Sequence, residues 1–505
     1  MSDSLSPFVA IQTDMPSREK VVIGVGWALV GAALRYALAG ATVLALTRIL
    51  QPEELGLVAL TYVVLELVGH VATVGFHDAL IQKQDLDESD LDTAFWSIVT
   101  VSGFFVLLVI VAAPVIAHEF GHYRLAPLMI VMALAAFVHA LSIVPRALLT
   151  RRMDFRVPAL VRVVGMILGG VCAVTLALLG AGPWSRVFQF VVLHVVSTVL
   201  IWRLVGWRPG WRVTRLSLRR LWRFAPSVSV FTVFVYVMHN ADDQLVGYVL
   251  GPEQLGYYAL AYSFMAWPVR DVIGSGQVVL YPVLARYQDD LSRFQEVYLE
   301  GLQLATLFAF PVLVVMIVAA PVFVPWLVGD RWSPAVLPMQ VLAFGGIREV
   351  TMMLNGSVYR ALGRPELHMM LSVASVVCYL VGFVVGLDYG IGGVAFFFVF
   401  VGFLLHGVSL WMVLSCLRLS FFGWARVLVV PLVLLGLVGL VGSVALYVVF
   451  GDFGVFVRLL LFGLVCVLVY VVSLIVLDPG VFVRLGGVLG GLVRLLVNDY
   501  AKSTS

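Results

Sequence analysis

The chain echoes itself at an offset of 200 residues. Leu50-Gln51-Pro52-Glu53-Glu54-Leu55-Gly56-Leu57-Val58-Ala59-Leu60-Thr61-Tyr62 returns as Leu250-Gly251-Pro252-Glu253-Gln254-Leu255-Gly256-Tyr257-Tyr258-Ala259-Leu260-Ala261-Tyr262. Each copy follows one long apolar segment and precedes another. A motif repeated in this way confines the chain to an architecture built twice. Secondary transporters are made as duplicated hydrophobic bundles with the cargo path between the halves.

Composition fixes the solvent. The 505 residues are 62% hydrophobic and 12% charged, with a mean hydropathy of +1.04, far from the soluble norm. Apolar stretches of about twenty residues, each long enough to cross a bilayer as a helix, repeat along almost the whole length. The short alternating strands of a membrane barrel are not visible. The expectation is an all-α polytopic membrane protein of about fourteen transmembrane helices. These run near 22–47, 56–77, 94–117, 125–149, 158–179, 186–206, 222–249, 257–281, 296–327, 334–360, 367–387, 390–416, 426–450 and 456–477.

Basic residues give the orientation. With the N-terminus inside, the cytoplasmic loops collect most of the arginines. Among them are Arg146, Arg151, Arg152, Arg156, Arg286, Arg360, Arg364 and a run from Arg203 to Arg223; the opposite loops hold Arg48, Arg124, Arg186, Arg331 and Arg458. That bias places both termini in the cytoplasm, in the inner or plasma membrane. An even number of spans between the echoes makes the repeat parallel, a pseudo-twofold about the membrane normal. The expected layout is a cytoplasmic tail 1–21, an N-lobe 22–206 of six spans and a basic linker 207–221. A C-lobe 222–416 of six spans follows, then two extra C-terminal helices within 417–477 and an interfacial helix and tail at 478–505. The N-terminal tail has Pro7 and Pro16 and lacks the basic start and cleavage site of a signal peptide.

Several chemistries are disfavoured. Cys172, Cys378, Cys416 and Cys466 lie singly inside apolar spans, with no metal-ligand spacing. No GxxxxGK[ST] loop occurs, and the short loops leave no room for a catalytic or nucleotide-binding domain. No enzyme activity, cofactor, metal or nucleic-acid partner is expected. Any uphill transport draws on an ion gradient, H⁺ or Na⁺, or on the cargo's own gradient. The acidic loop Asp85-Leu86-Asp87 to Asp90-Leu91-Asp92 superficially resembles a glycosyltransferase's metal-binding pair, and a solvated helix cap is the plainer reading.

Charges inside the spans carry the mechanistic argument, because a charge in hydrocarbon normally faces a partner or a wet cavity. Arg35 lies mid-span one, Glu66 and His70 share one face of span two, and His239, Asp242 and Asp243 occupy span seven. Arg270-Asp271 and Arg348-Glu349 sit midway in spans eight and ten, and the offset of the repeat sets Arg270 against His70. Arg35, His70, Arg270 and Arg348 are therefore candidates for an anionic cargo group, since guanidinium pairs bidentately with phosphate. The competing reading is internal pairing, Arg35 with Glu66 and Arg348 with a neighbouring acid. Glu66, Asp242 and Asp243 are candidates for ion coupling, or else cap and hydrogen-bond within the bundle.

The stretch Trp207-Arg208-Pro209-Gly210-Trp211-Arg212-Val213-Thr214-Arg215, continuing to Arg223, mixes tryptophan with arginine and reads as an interfacial linker among membrane lipids. Apolar spacing from Val481 to Leu496 suggests a second surface-lying helix.

These residues together resemble a known family. The run from Leu50 to Ile81-Gln82-Lys83 and on through Asp87-Glu88-Ser89-Asp90-Leu91-Asp92-Thr93-Ala94-Phe95-Trp96 is similar to the polysaccharide transporter branch of the MOP flippase superfamily, most of all its Wzx type. So are Asn240-Ala241-Asp242-Asp243-Gln244, Tyr281-Pro282-Val283-Leu284-Ala285-Arg286-Tyr287, Arg331-Trp332-Ser333-Pro334 and Leu362-Gly363-Arg364-Pro365. The resemblance covers roughly residues 20 to 420. It implies a two-lobed bundle that rocks between inward and outward states. It also implies a polyprenyl-diphosphate-linked oligosaccharide as cargo, moved between leaflets for O-antigen or exopolysaccharide assembly, with glycan polymerases as partners. The alternative from the same superfamily is an ion-coupled multidrug exporter, which would want an acidic, aromatic cavity for cations. A membrane-bound glycan polymerase or ligase and a non-transporting scaffold rank below both.

Overall fold

The computed structural model describes residues 34–35, 37–73, 80, 86–152, 156–222, 236, 240–266, 269 and 274–480. Every regular element among them is helical. The chain divides into two compact units, residues 1–253 and 254–505.

The first unit contains α1 (Ala37–Ile49), α2 (Pro52–Thr73), α3 (Glu88–Glu119), α4 (Leu125–Ala140), α5 (Ile143–Arg151), α6 (Arg156–Leu178) and α7 (Pro183–Val205). A short α8 (Arg215–Trp222) and α9 (Ala241–Val249) complete it. The second unit contains α10 (Pro252–Ala266), α11 (Gly274–Arg286), α12 (Leu291–Val328), α13 (Val336–Ala361), α14 (Pro365–Leu387), α15 (Gly390–Leu417), α16 (Phe421–Val444) and α17 (Val455–Leu477). Nine helical segments among the described residues are long and apolar enough to cross a membrane, making this a multi-pass membrane protein. They coincide with the third to sixth, ninth and eleventh to fourteenth expected spans. The other expected spans hold α1, α2, α9, α10, α11 and α13, and the sequence sets its intramembrane charges on these segments.

The echoed motif starts a helix in the same way twice. Pro52 opens α2 and Pro252 opens α10, each with an acid in the first turn, where proline loses no hydrogen bond and a carboxylate meets the positive end of the dipole. The last residue of each echo also packs alike. Tyr62 lies 5.3 Å from the Phe190 ring of α7, and Tyr262 lies 6.1 Å from the Phe398 ring of α15.

Within the first unit α6 packs along α7, and α2 packs on α4. Small residues permit the first contact. A Cβ at Gly165 would fall 2.8 Å from Ser197 Oγ, and one at Gly169 would fall 2.7 Å from the Gln189 carbonyl oxygen. Such close approach is how membrane helices associate where the hydrophobic effect offers no help. In the second unit α13 packs on α12 and α15, while α16 and α17 pack on each other and on α12. Helix α12 runs 38 residues, about 57 Å at the α-helical rise and so well beyond the hydrocarbon core.

The acidic loop is a cap, but its buried members are not solvated. Asp90 accepts a hydrogen bond from the Asp87 N–H at 3.1 Å, closing the start of α3. Asp92 is buried and holds the linker instead: its carboxylate accepts from the Gly210 N–H at 2.8 Å and the Arg212 N–H at 3.3 Å.

Candidate functional site

A polar cavity of about 210 Å³ lies inside the first unit. Its walls come from five elements: Leu65, Glu66 and Gly69 of α2; Ala136 and His139 of α4; Arg146 of α5; Arg162 of α6; and Leu193, His194 and Ser197 of α7. At roughly 30 Å³ per water, the space holds about seven waters or one small anionic group.

A break in one expected span builds this cavity. The fourth span is straight to Ala140, turns at Leu141-Ser142, and resumes as α5. A membrane helix can break only where its freed carbonyls find donors. Here Thr198 Oγ1 donates to the Val138 carbonyl at 3.0 Å, Trp202 Nε1 to that of Leu141 at 3.1 Å, and Ser142 Oγ to that of His139 at 2.7 Å. The turn brings His139 and Arg146, on either side of it, to the same pocket. Across from them, α7 supplies His194, whose ring centroid is 4.8 Å from that of His139.

The lining is cationic. Two arginines against one glutamate leave a net positive charge, before any proton on the two histidines. Among the described residues, Arg146 Nε, His139 Nδ1 and Ser197 Oγ are enclosed yet make no hydrogen bond. Native proteins rarely leave several enclosed polar atoms unpaired in one place, which marks the pocket as a site for a ligand or water. Concave, one-signed clefts concentrate counter-ions.

A second polar cluster, in the second unit, has a different character. Arg348 of α13 has its side chain fully enclosed, at 0% exposure, and pairs with Glu349. Its guanidinium also donates to Tyr379 Oη at 3.3 Å and lies 6.0 Å from the Phe398 ring. Gly402 of α15 makes room for it, since a Cβ there would sit 2.6 Å from Arg348 Cζ. Below it, one face of α13 continues in polar contacts. Thr351 meets His406 at 3.2 Å, Asn355 donates to Ser409 Oγ at 3.0 Å and accepts from Tyr298 at 3.1 Å, and Tyr359 donates to the Ser409 carbonyl at 3.0 Å.

The sequence-derived candidates are thus distributed. Glu66 lines the cavity. His70 falls one residue beyond lining Gly69, in the last turn of α2, with its side chain outside what is described. Arg270 and Asp271, like His239, lie outside the described residues. Arg35 is half-buried just ahead of α1, Asp242 is buried and Asp243 half-buried in the first turn of α9, which packs on α2, and all three engage neighbours. Sequence reasoning missed Arg162, His139 and His194, and took Arg146 for a loop residue.

With this geometry in view, comparison with known proteins is informative. The Lipopolysaccharide biosynthesis protein WzxC of Escherichia coli K12 is 24% identical over 378 residues, 74% of this chain and 76% of that protein. The Succinoglycan biosynthesis transport protein ExoT of Rhizobium meliloti is 26% identical over 323 residues, 64% and 65% of the two chains. Among solved structures, the Lipid II flippase MurJ in an inward closed conformation superposes with a TM-score of 0.70 at 15% identity, covering 90% of this chain and 99% of that one. An inward-facing multidrug resistance MATE family transporter of the MOP superfamily gives 0.62 at 16% identity, covering 78% and 99%. The fold is therefore shared with these two membrane proteins. Residues 45–337, more than half the chain, match a single family, and the protein belongs to it: the polysaccharide biosynthesis protein family.

Proposed function

We propose that the protein is a flippase that carries polyprenyl-diphosphate-linked oligosaccharide units from the inner to the outer leaflet by alternating access, for O-antigen or exopolysaccharide assembly. The cation-lined cavity of the first unit is the observation that carries this reading beyond the family. Arg146 and Arg162 suit a phosphate oxygen, because guanidinium offers paired N–H donors that stay charged at any physiological pH. His139, His194 and Ser197 add donors around the same space, and Glu66 serves as the counter-ion that a bound phosphate displaces. A cationic drug would meet repulsion in such a pocket, which favours a flippase over a multidrug exporter.

Arg35, His70 and Arg270 remain cargo candidates by position. Arg348 is one too, although its pairing with Glu349 already gives it a structural occupation. Asp242, Asp243 and Glu66 are candidates for coupling to H⁺ or Na⁺. In this reading the protein works in the inner or plasma membrane with both termini cytoplasmic, beside the glycan polymerases that use its product, and performs no covalent chemistry.

The test is leaflet exposure of a lipid-linked oligosaccharide in proteoliposomes, read by an added glycosidase. Protein-dependent exposure is expected. Its absence under imposed proton and sodium gradients, with cation uptake in the same vesicles, would replace the reading with the exporter.

A further inference from the structure

The basic linker is fastened to the first unit more tightly than a connection between spans requires. Helix α7 ends at Gly206, whose φ of 73° turns the chain sharply back. Trp207 then inserts beside Phe95 and Trp202, with ring centroids 5.9 Å from each. At Gly210 the backbone is gripped from both sides: its N–H donates to Asp92, and its carbonyl accepts from Trp96 Nε1 at 2.8 Å. A Cβ at Gly210 would lie 2.6 Å from Asp92 Oδ2, so a glycine is needed here. Trp211 stacks on Trp96 at 4.3 Å, the Thr214 N–H donates to Thr93 Oγ1 at 3.2 Å, and Ser217 lies 3.3 Å from Ser89 Oγ.

This strap presents one kind of surface. Trp211 is 81% exposed, Val213 54% and Leu216 59%, and they are interleaved with the exposed arginines Arg212, Arg215 and Arg219. Of these, Arg212 has an acidic neighbour, Glu88 at 3.4 Å, and both partners are largely exposed. The patch starts a few residues beyond Val205, the end of a membrane-spanning helix, so it lies at headgroup depth. Aromatic and aliphatic side chains alternating with arginine at that depth match an interface that is apolar below and anionic above.

We propose that residues 207–219 form an anionic-phospholipid binding site, held in shape by the Asp92–Gly210 clamp, whose arginines Arg212, Arg215 and Arg219 engage lipid phosphates while Trp211, Val213 and Leu216 enter the acyl boundary. The proposal needs the multi-pass membrane reading and is independent of what the protein transports. The clamp matters because a pre-ordered segment loses less conformational entropy when it binds than a flexible one. Each arginine near an anionic surface contributes roughly fivefold to occupancy.

The experiment is hydrogen exchange on the full-length protein in nanodiscs of phosphatidylcholine alone or mixed with phosphatidylglycerol. Residues 207–219 are expected to exchange several-fold more slowly with phosphatidylglycerol present. High salt should erase the difference, as should the combined R212Q, R215Q and R219Q changes, with exchange elsewhere in the first unit unaltered. The salt arm on the unmodified protein stands even where the triple variant fails to fold. Equal exchange in the two lipids overturns the proposal. So does protection that appears in phosphatidylcholine only after soluble protein is added, which would make the patch a protein-docking surface.

Discussion

The cavity of the first unit and the Arg348 cluster of the second both bury arginine within a membrane bundle, yet they are built to opposite ends. Around Arg348 the space is filled: Glu349 and Tyr379 bond its terminal N–H groups, Phe398 flanks it, and Gly402 is bare so that it fits. The Arg348 Nε, like that of Arg146, makes no hydrogen bond among the described residues. Around Arg146 and Arg162 there is space, with three enclosed polar atoms making no hydrogen bond among the described residues. A charge paired with a carboxylate and closely packed stabilises a single arrangement, whereas unpaired polar atoms beside open space await something from outside. The difference teaches that intramembrane charge alone does not mark a cargo path; the room left beside it does.

The strongest break of this contrast is at Gly402. Gly402→Val places carbon where the guanidinium lies, and displacing an enclosed charge from its partners should cost about 3 kcal/mol or more. A large fall in melting temperature in detergent checks it. Next comes Glu349→Ala, which leaves Arg348 uncompensated. Because Glu349 is one-third exposed, we expect about 2 kcal/mol, below the roughly 3–5 kcal/mol of a fully buried pair that is broken. The combined R348M and E349Q change should melt within about 1 kcal/mol of the parent, since an apolar substitute removes both desolvation costs.

In the first unit the balance reverses. R146Q and R162Q should each leave thermal stability within about 1 kcal/mol of the parent while lowering transport about tenfold, the value of one charge-assisted contact. Equal losses of stability in the two clusters would collapse the distinction between them.

The smallest effect belongs to Asp290, in the loop before α12 and outside both clusters. Its carboxylate accepts from the Arg293 N–H and the Ser292 hydroxyl, both at 3.1 Å, which holds its pKa below the ordinary carboxylate value. A depressed folded-state pKa contributes stability that is present above the unfolded value, about 4, and lost as pH falls through the folded value. The melting difference between D290A and the parent should therefore be present at neutral pH and shrink in acid.

Much of the fold was legible because span length and apolar composition are properties of single segments. The repeat at Pro52 and Pro252 was legible for the same reason, and the two helix starts carry it into structure. Glu66 stood out as an acid in an apolar run. Arg146 did not, because it sits near the end of an expected span, where arginine usually reports topology. The turn at Leu141-Ser142 carries it inward, and that turn depends on Thr198 and Trp202, more than fifty residues away. Tertiary partners of this kind leave no local pattern; Ser142 and Pro145 were the only nearby signal. The Asp92–Gly210 clamp was hidden likewise, since each half reads alone as a helix cap or a turn.

The most direct measurement is the initial rate of lipid-linked oligosaccharide exposure in proteoliposomes for three proteins side by side: the parent, the R146Q and R162Q double variant, and the R348M and E349Q double variant. The account predicts that the cavity variant loses protein-dependent flipping while remaining folded, and that the paired replacement in the second unit retains most of it. Full flipping by the cavity variant, or its loss only in the second-unit variant, would contradict the assignment of cargo handling to the open pocket.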